Sequence, residues 1–481
     1  MHSISDMKIT GLFFLILLAL NVSAQTEYIN IFHFNDLHGR IEKLPRMQFM
    51  ADSITKADGG YTVVLSAGDM FSGKPYVDKH ELPGWPAIDL MNDFPVNATA
   101  LGNHEFDYGL KILNERIAKA AFPFVAANVS NGDSALQNVK DYFVIKTPRG
   151  NRLVILGLTQ VSRNGLPEAH PDRVKGLKFA HGLDRVKDYT HLPGKKAYLI
   201  VLSHMGFKND SILASQMEQA KLIIGGHSHT TLHHPYTGKY ADVLQAGQYG
   251  RYMGYYRIQM KKGKVISKEY RLLKVDDGQN ENKKMKTAAD TYIHNPAFNE
   301  VVADIPQTIT GSVKLASVMA LAYRIHCHAD LAVQNQGGVR INELPAGPVT
   351  VKKMYELDPF DNSLLIVEMT PDDIRYMIEQ SINLQGEYDL APAGFAYEII
   401  KKENGTASEI RLDFLNTMPN KSGKFRMAIN SYVFFAYLKD RELNYAETGL
   451  YSTQILMDFV KKTRLAEPVK VLIPEKSKGK Y

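Results

Sequence analysis

From Tyr28 the chain reads Tyr28-Ile29-Asn30-Ile31-Phe32-His33-Phe34, a near-alternation of apolar and polar positions with the two-residue period of a strand. Four later runs, 61–66, 152–157, 197–202 and 222–224, are almost continuously apolar. Runs of that length suit strands covered on both faces, and helical stretches lie between them. The pattern predicts an α/β layered domain over residues 25–280. It ends where the polar stretch 276–284 has the composition of a solvated linker. Residues 281–305 read as a linker helix. The second half, 306–481, offers a helix over 313–326, a strand at 331–333, the loop Asn335-Gln336-Gly337-Gly338 and a strand at 364–369. A helix over 372–384 follows, with Thr370 as its N-cap and acids in its first turn, where the helix dipole favours them. This predicts a smaller, mixed α/β domain. No internal repeat is present.

Composition narrows the function. The 481 residues are enough for two or three domains, and 44% hydrophobic with 22% charged residues argues against wholesale disorder. The net charge of +6 is spread thinly, without a basic block, which argues against nucleic acid as a partner. The single cysteine, Cys327, excludes an intrachain disulfide framework and a Cys-based zinc site. Any metal must be held by His, Asp and Asn, and 16 histidines are present.

At the N-terminus Lys8 precedes the apolar run 11–20 and Val22-Ser23-Ala24 follows, the layout of a secretory signal over 1–24 cleaved after Ala24. Met7 is an equally good start. The run is short of the ~20 residues a membrane span needs. The expectation is an exported protein, periplasmic or extracellular, without a transmembrane anchor after cleavage.

The chemistry-bearing residues fall mainly after those strands. Asn35-Asp36-Leu37-His38-Gly39 follows the first and Ser66-Ala67-Gly68-Asp69 the second. Then come Leu101-Gly102-Asn103-His104-Glu105-Phe106-Asp107, Leu202-Ser203-His204-Met205-Gly206 and Gly225-Gly226-His227-Ser228-His229. Strand carboxyl ends are where sites assemble in α/β sheets. Donors of this kind suit two divalent transition ions rather than Ca²⁺ or Mg²⁺, which prefer oxygen shells. Two ions close together need a bridging anion. Asp69, a carboxylate on a glycine-preceded turn, is the natural bridge.

Taken in order, Asp-x-His, Gly-Asp, Gly-Asn-His-Glu, a lone His and Gly-His-x-His resemble the calcineurin-like metallophosphatases. The string Gly102-Asn103-His104-Glu105-Phe106-Asp107-Tyr108-Gly109 is similar more narrowly to the 5′-nucleotidase family. The resemblance covers roughly residues 28–460. It implies a layered αββα metallophosphatase domain followed by a substrate-binding domain. It also implies two divalent ions, with Zn, Mn or Co favoured. One ion would be held by Asp36, His38, Asp69 and His229, the other by Asp69, Asn103, His204 and His227. His104 would lie outside the metal shell, stabilising the phosphoryl group or protonating the leaving oxygen, and Asp107 would orient it and raise its pKa. Attack would come from hydroxide on the metal, without a covalent phosphoenzyme.

In the resembled family the second domain selects the leaving group through arginines and two aromatic faces. Guanidinium forks pair with phosphate oxygens, and aromatic faces stack on a planar base. Asn335-Gln336-Gly337-Gly338-Val339-Arg340 matches the Asn-x-Gly-Gly-x-Arg loop, which makes Asn335 and Arg340 substrate contacts. Pro359-Phe360-Asp361-Asn362 and Asn430-Ser431-Tyr432 supply Phe360 and Tyr432 as the stacking pair. Two features depart from the family. Val433-Phe434-Phe435-Ala436-Tyr437-Leu438-Lys439-Asp440 replaces a glycine-rich turn carrying a ribose-binding Asp, and Thr310–Ser317 lacks an expected arginine.

Other polar residues read as structural. His33 is expected to be buried and hydrogen-bonded, His233 and His234 to sit in an exposed loop, and His326 and His328 to be unconnected with metal. Trp85 is expected to pack near the site entrance, and the terminal lysines to form a solvated tail. The leading function is hydrolysis of nucleoside 5′-monophosphates to nucleoside and phosphate, the partner being a small phosphate ester. Alternatives with the same centre are a UDP-sugar hydrolase, a cyclic-nucleotide phosphodiesterase or another phosphate-ester hydrolase. A more distant one is a non-catalytic surface binding module.

Overall fold

The structure is a computed structural model that describes residues 26–465 except 132–135, 193–196, 262, 277–279, 386–388, 402–406 and 416. The segment 1–24 that reads as a secretory signal and the terminal lysines lie outside the described residues.

Each of the first-half apolar runs is a strand, and the side chains of each divide between two layers, as an alternating backbone requires. Glu27–Phe34 pairs in parallel with Tyr61–Ser66, and Ala98–Ala100, Phe124–Val125 and Val139–Lys140 continue that sheet. On its other edge Glu27–Phe34 pairs antiparallel with Tyr252–Lys261, which pairs in turn with Lys264–Lys274. A second sheet has the order Tyr236–Thr237, Asp242–Leu244, Ala220–Ile224, Ala197–Ser203, Arg152–Leu158, Tyr142–Lys146.

Ile29, Ile31, Val63 and Leu65 of the first sheet pack against Leu153, Ile155, Ile200 and Leu202 of the second. Their alternates Phe32, Phe34 and Val64 meet helices outside the first sheet, while Val154, Leu156, Leu199 and Val201 meet helices outside the second. Burial on both faces is why these runs are apolar throughout. The result is a four-layer αββα sandwich.

The second half has a five-stranded sheet ordered Leu390–Ala393, Leu331–Asn335, Phe425–Asn430, Ser363–Met369, Tyr445–Tyr451. Helices Ser312–His326 and Ser452–Thr463 contribute to the core on one face, and Pro371–Gln385 and Ser431–Tyr437 to the core on the other. The Thr370 hydroxyl caps the helix Pro371–Gln385 by accepting from the Asp373 amide at 3.2 Å.

Between the halves, the helix Lys283–Ile293 buries Met285 and Ala289 in the first domain's core. Pro296 opens a 3₁₀ turn beyond it, and Val301–Ile305 then pairs with Gly347–Thr350 of the second half. The end of the 281–305 segment is therefore a strand. Its adjacent β-branched residues Val301 and Val302 favour that state.

Candidate active site

The strand ends of the first domain converge on one edge. Asp36 and His38 follow Glu27–Phe34, Asp69 follows Tyr61–Ser66, and Asn103 and His104 follow Ala98–Ala100. His204 follows Ala197–Ser203, and His227 and His229 follow Ala220–Ile224. The chain turns sharply to aim these side chains inward. Asp36, His38, Asp69, His227 and His229 all have positive φ, between 49° and 72°. Non-glycine residues in that region cost about 1–3 kcal/mol each, and such strain gathers at functional sites. Close approach sets the glycines: a Cβ on Gly102 would fall 2.1 Å from Asp69 Oδ1.

The seven sequence-selected ligand residues meet there. His38 Nε2 lies 3.3 Å from His229 Nε2 and 3.9 Å from Asp36 Oδ1, and His229 Nε2 lies 3.3 Å from Asp36 Oδ1. Asp69 Oδ2 lies 3.1 Å from His204 Nε2 and 3.8 Å from His38 Nε2. Donors around a four-coordinate ion with bonds of ~2.1 Å stand ~3.4 Å apart, the scale of these spacings. His227 Nδ1 and Asn103 Oδ1 are 3.1 Å apart, and the Asn103 Nδ2 donates to the Glu168 carbonyl at 3.0 Å. That bond turns the Asn103 oxygen toward the cluster.

Backbone carbonyls fix the imidazoles. Nδ1 of His38 faces the Ser72 carbonyl at 3.1 Å and Nδ1 of His204 faces the Ala67 carbonyl at 2.6 Å, directing both Nε2 atoms to the cluster. His204 Nε2 is buried and makes no hydrogen bond of acceptable geometry. An orphaned buried nitrogen beside two carboxylates, among nitrogen and oxygen donors only, fits a divalent transition ion.

The electrostatics of the protein groups alone show how closely these charges are packed. Burial opposes charge on His204, but Asp69 and Asp36 outweigh it and push its pKa up to about 10. Burial likewise opposes charge on Asp69, but His204 and His104 hold its carboxyl well below the usual carboxylate range. Burial, with Arg340 and His104 nearby, keeps His38 well below the usual imidazole range, and burial lowers His227.

His104 has a different setting. Its Nδ1 is 2.7 Å from Asp107 Oδ2, while Nε2 is 4.0 Å from Asp69 Oδ2. Burial lowers its pKa, but Asp107 and Asp69 outweigh that and raise it. It also falls within ligand range of a group with His38 and Asp69. With Nδ1 taken up by Asp107 and its pKa raised, His104 suits the proton-donating role that the sequence pattern implies.

All four substrate residues chosen from sequence line one cleft of about 630 Å³ between the domains, together with Asn103, His104 and Asp107. Phe360 stacks on His104, with ring centroids 5.6 Å apart and planes at 19°. The Arg340 guanidinium lies 5.9 Å from the Phe360 centroid, and its Nη2 is 3.3 Å from His38 Nε2. Asn430 ties two loops together: its Oδ1 caps the helix Ser431–Tyr437 at Val433 N, and its Nδ2 donates to Asn335 Oδ1 at 3.0 Å. Asp440 is exposed in the turn beyond that helix and is not among the cleft's lining residues.

Several residues escaped sequence reasoning. Glu105 accepts the amides of Asp69, Met70 and Gly102 at 2.9, 2.7 and 2.6 Å, fixing the turn that carries the Asp69 carboxylate. Burial and the charge of Asp69 push it up to about 7. Its place inside the Gly-Asn-His-Glu string was the available signal. Asn35 donates to Asp36 Oδ2 at 2.6 Å. Glu168, His170 and Arg173 also line the cleft, and Arg173 donates to the Asp107 carbonyl. No local pattern marked that segment.

His33 is buried, but both ring nitrogens lack partners, correcting the hydrogen-bonded expectation. Its ring is packed against Gly254, where a Cβ would lie 1.9 Å from Nε2, and burial lowers its pKa to about 3. Uncharged, it behaves as an apolar side chain.

Residues 29–231 match the family model for calcineurin-like phosphoesterases, and residues 295–436 match that for the 5′-nucleotidase C-terminal domain. The chain is 22% identical to a 5′-nucleotidase of Diplobatis ommata over 521 aligned positions, covering 92% of this chain and 88% of that one. Among solved structures it resembles a 5′-nucleotidase precursor from Thermus thermophilus at a TM-score of 0.77 and 22% identity, covering 90% and 96% of the two chains. The sulfate thiohydrolase SoxB of a Thermus species matches at 0.73 and 14% identity, covering 90% and 94%. These structural likenesses show the fold.

Proposed function

The chain belongs to the metal-dependent phosphoesterases in which a calcineurin-like domain precedes a 5′-nucleotidase C-terminal domain, and from that premise we propose that it is an exported phosphomonoesterase acting on nucleoside 5′-monophosphates. The observation carrying the substrate is the convergence of Phe360, Tyr432, Asn335 and Arg340 on the cleft that also holds His104 and Asp107. In this reading Asp36, His38, Asp69 and His229 hold one divalent ion, and Asp69, Asn103, His204 and His227 the other, with Zn, Mn or Co suited to the donors. When bound, such a pair supplies positive charge to a phosphoryl oxygen and lowers the pKa of water.

The chain's own groups do the rest. Arg340 orients the phosphate through its planar fork. Phe360 and Tyr432 take the faces of the base, and Asn335 holds the ester beside Arg340. His104, its pKa raised by Asp107, gives its Nε2 proton to the departing 5′-oxygen. Export rests on Lys8, the apolar run 11–20 and the small residues ending at Ala24. Among the described residues no helix is long and apolar enough to cross a membrane.

One observation favours a second reading, a phosphate ester with another leaving group such as a UDP-sugar or a cyclic nucleotide. Ser431–Tyr437 is a helix, and the Tyr437 hydroxyl is spent on the buried Asp389 at 2.6 Å. That segment therefore brings no carboxylate to the cleft for a ribose. The test is phosphate release by residues 25–481, metal-depleted and then supplied with Mn²⁺, Co²⁺ or Zn²⁺. AMP, an aryl phosphate and UDP-glucose run in parallel. Strong AMP turnover is expected, and turnover of the aryl phosphate alone overturns the nucleotide assignment.

A further inference from the structure

A second cavity, of about 520 Å³, adjoins the candidate metal-ligand cluster and meets it at His38. Its walls come from both domains: Arg40, Lys74 and Tyr249 from the first, Arg340, Lys353 and Glu356 from the second. Four of these side chains are cationic and one is anionic. Glu356 is shared between two lysines, at 2.5 Å from Lys74 and 3.4 Å from Lys353. The lining thus carries a net charge of about +3, with Glu42 beyond it as a further acid acting on Lys74.

Arg40 is held rather than trailing in solvent. Its guanidinium carbon lies 4.2 Å from the centroid of the Tyr249 ring, and its Nε is buried without a hydrogen-bond partner. Tyr249 is itself fixed, at a φ of 61°, by donating its amide to the Asp36 carbonyl at 2.7 Å. Lys74 is only 10% exposed, and burial, with Arg40 nearby, lowers its pKa although Glu356 works the other way. Like charges crowded in a recess repel one another, and a counter-anion bound there relieves that repulsion.

We infer that this cavity is a second anion subsite, which takes a phosphoryl dianion next to the one held over the metal-ligand cluster. The inference rests on the phosphoesterase reading, which puts the reacting phosphate at Arg340, a residue common to both cavities. The second dianion has two possible sources, a further phosphoryl group of the same ligand or released orthophosphate. In either case it lies between Arg40 and Lys353 and draws the two domains together.

The test is calorimetric titration of residues 25–481, metal-free and Mn²⁺-loaded, with orthophosphate and with methylenediphosphonate. The comparison is between the unmodified chain and Arg40→Gln/Lys353→Gln, with Arg40→Lys as the charge-retaining control. Metal-free protein is expected to bind both anions, at least tenfold more weakly in the double variant and within threefold in Arg40→Lys. In loaded protein, a diphosphonate advantage of at least tenfold that vanishes in the double variant assigns the site to a second group on one ligand. Equal affinities that weaken together assign it to free phosphate. Unchanged affinity for both anions in the double variant overturns the subsite. AMP turnover measured alongside reads the nucleotide assignment separately, because binding to metal-free protein does not depend on it.

Discussion

The candidate metal-binding edge of the first domain and the proposed substrate face of the second are both made of loops at strand ends, but they are held differently. At the first, five of the candidate ligand residues sit in left-handed backbone, and Glu105, Asn35, Ser72 and Ala67 each fix a neighbouring turn or ring. At the second, none of Asn335, Arg340, Phe360 and Tyr432 has positive φ. Asn430 and Asp389 brace the loops from behind, through Asn335 and through the Gly337 amide. Chemistry at the first edge tolerates almost no displacement. A leaving group can be gripped in more than one way, so the second face is free to change, as the helix Ser431–Tyr437 illustrates.

The largest expected effect breaks the first edge. Asp69→Ala removes the carboxylate that faces His204, His38 and His104, and phosphate release should fall by at least about 1,000-fold. Elemental analysis should show metal lost with it, and full metal content with full activity would refute the bridge. His104→Ala should lower kcat by about 10²–10⁴ with metal content unchanged. Loss of metal in that variant would instead make His104 a ligand of the His38–Asp69 group.

Glu105→Gln puts an amide where three backbone donors need an acceptor. Metal affinity should weaken about 10–100-fold, as read by titrating activity against free Mn²⁺. Phe360→Ala probes the other face. KM for AMP should rise about tenfold, while aryl phosphate turnover stays within about twofold. A kcat loss on both esters would show that Phe360 positions His104 rather than a base.

The smallest effect concerns pH. Asp358, behind the Phe360 turn, is pushed up to about 6 by burial, against its hydrogen bond from Ser452. A carboxyl raised in the folded state favours folding below its ordinary range near pH 4, and that contribution is lost as pH rises through about 6. Denaturation midpoints should therefore decline across that window, and Asp358→Asn should flatten this part of the decline. An identical slope in the variant would remove Asp358 as the cause.

Much of this molecule is legible in one dimension. The continuous apolar runs gave the doubly covered strands because burial on both faces leaves no polar register. Asp36, His38, Asp69, Asn103, His204, His227 and His229 were legible because strand ends carry glycine-flanked polar clusters, and donor chemistry is a property of residue type. Phe360, Tyr432, Asn335 and Arg340 came from a family pattern, and the fold brings them onto one cleft.

Other features depended on the chain's path in space. The amide-binding role of Glu105, the packing of a neutral His33 against Gly254 and the entry of Arg173 to the cleft each need a neighbour remote in sequence or an orientation that residue type does not specify. The cavity between Arg40 and Lys353 is the extreme case, since its charges are scattered over more than 300 positions and meet only when two domains close on each other. Residue type and local period determine which groups can bind metal and which strands are buried. Distance between side chains belongs to the tertiary structure, and so does everything that depends on it: charge density, hydrogen-bond partnership and shifted pKa values.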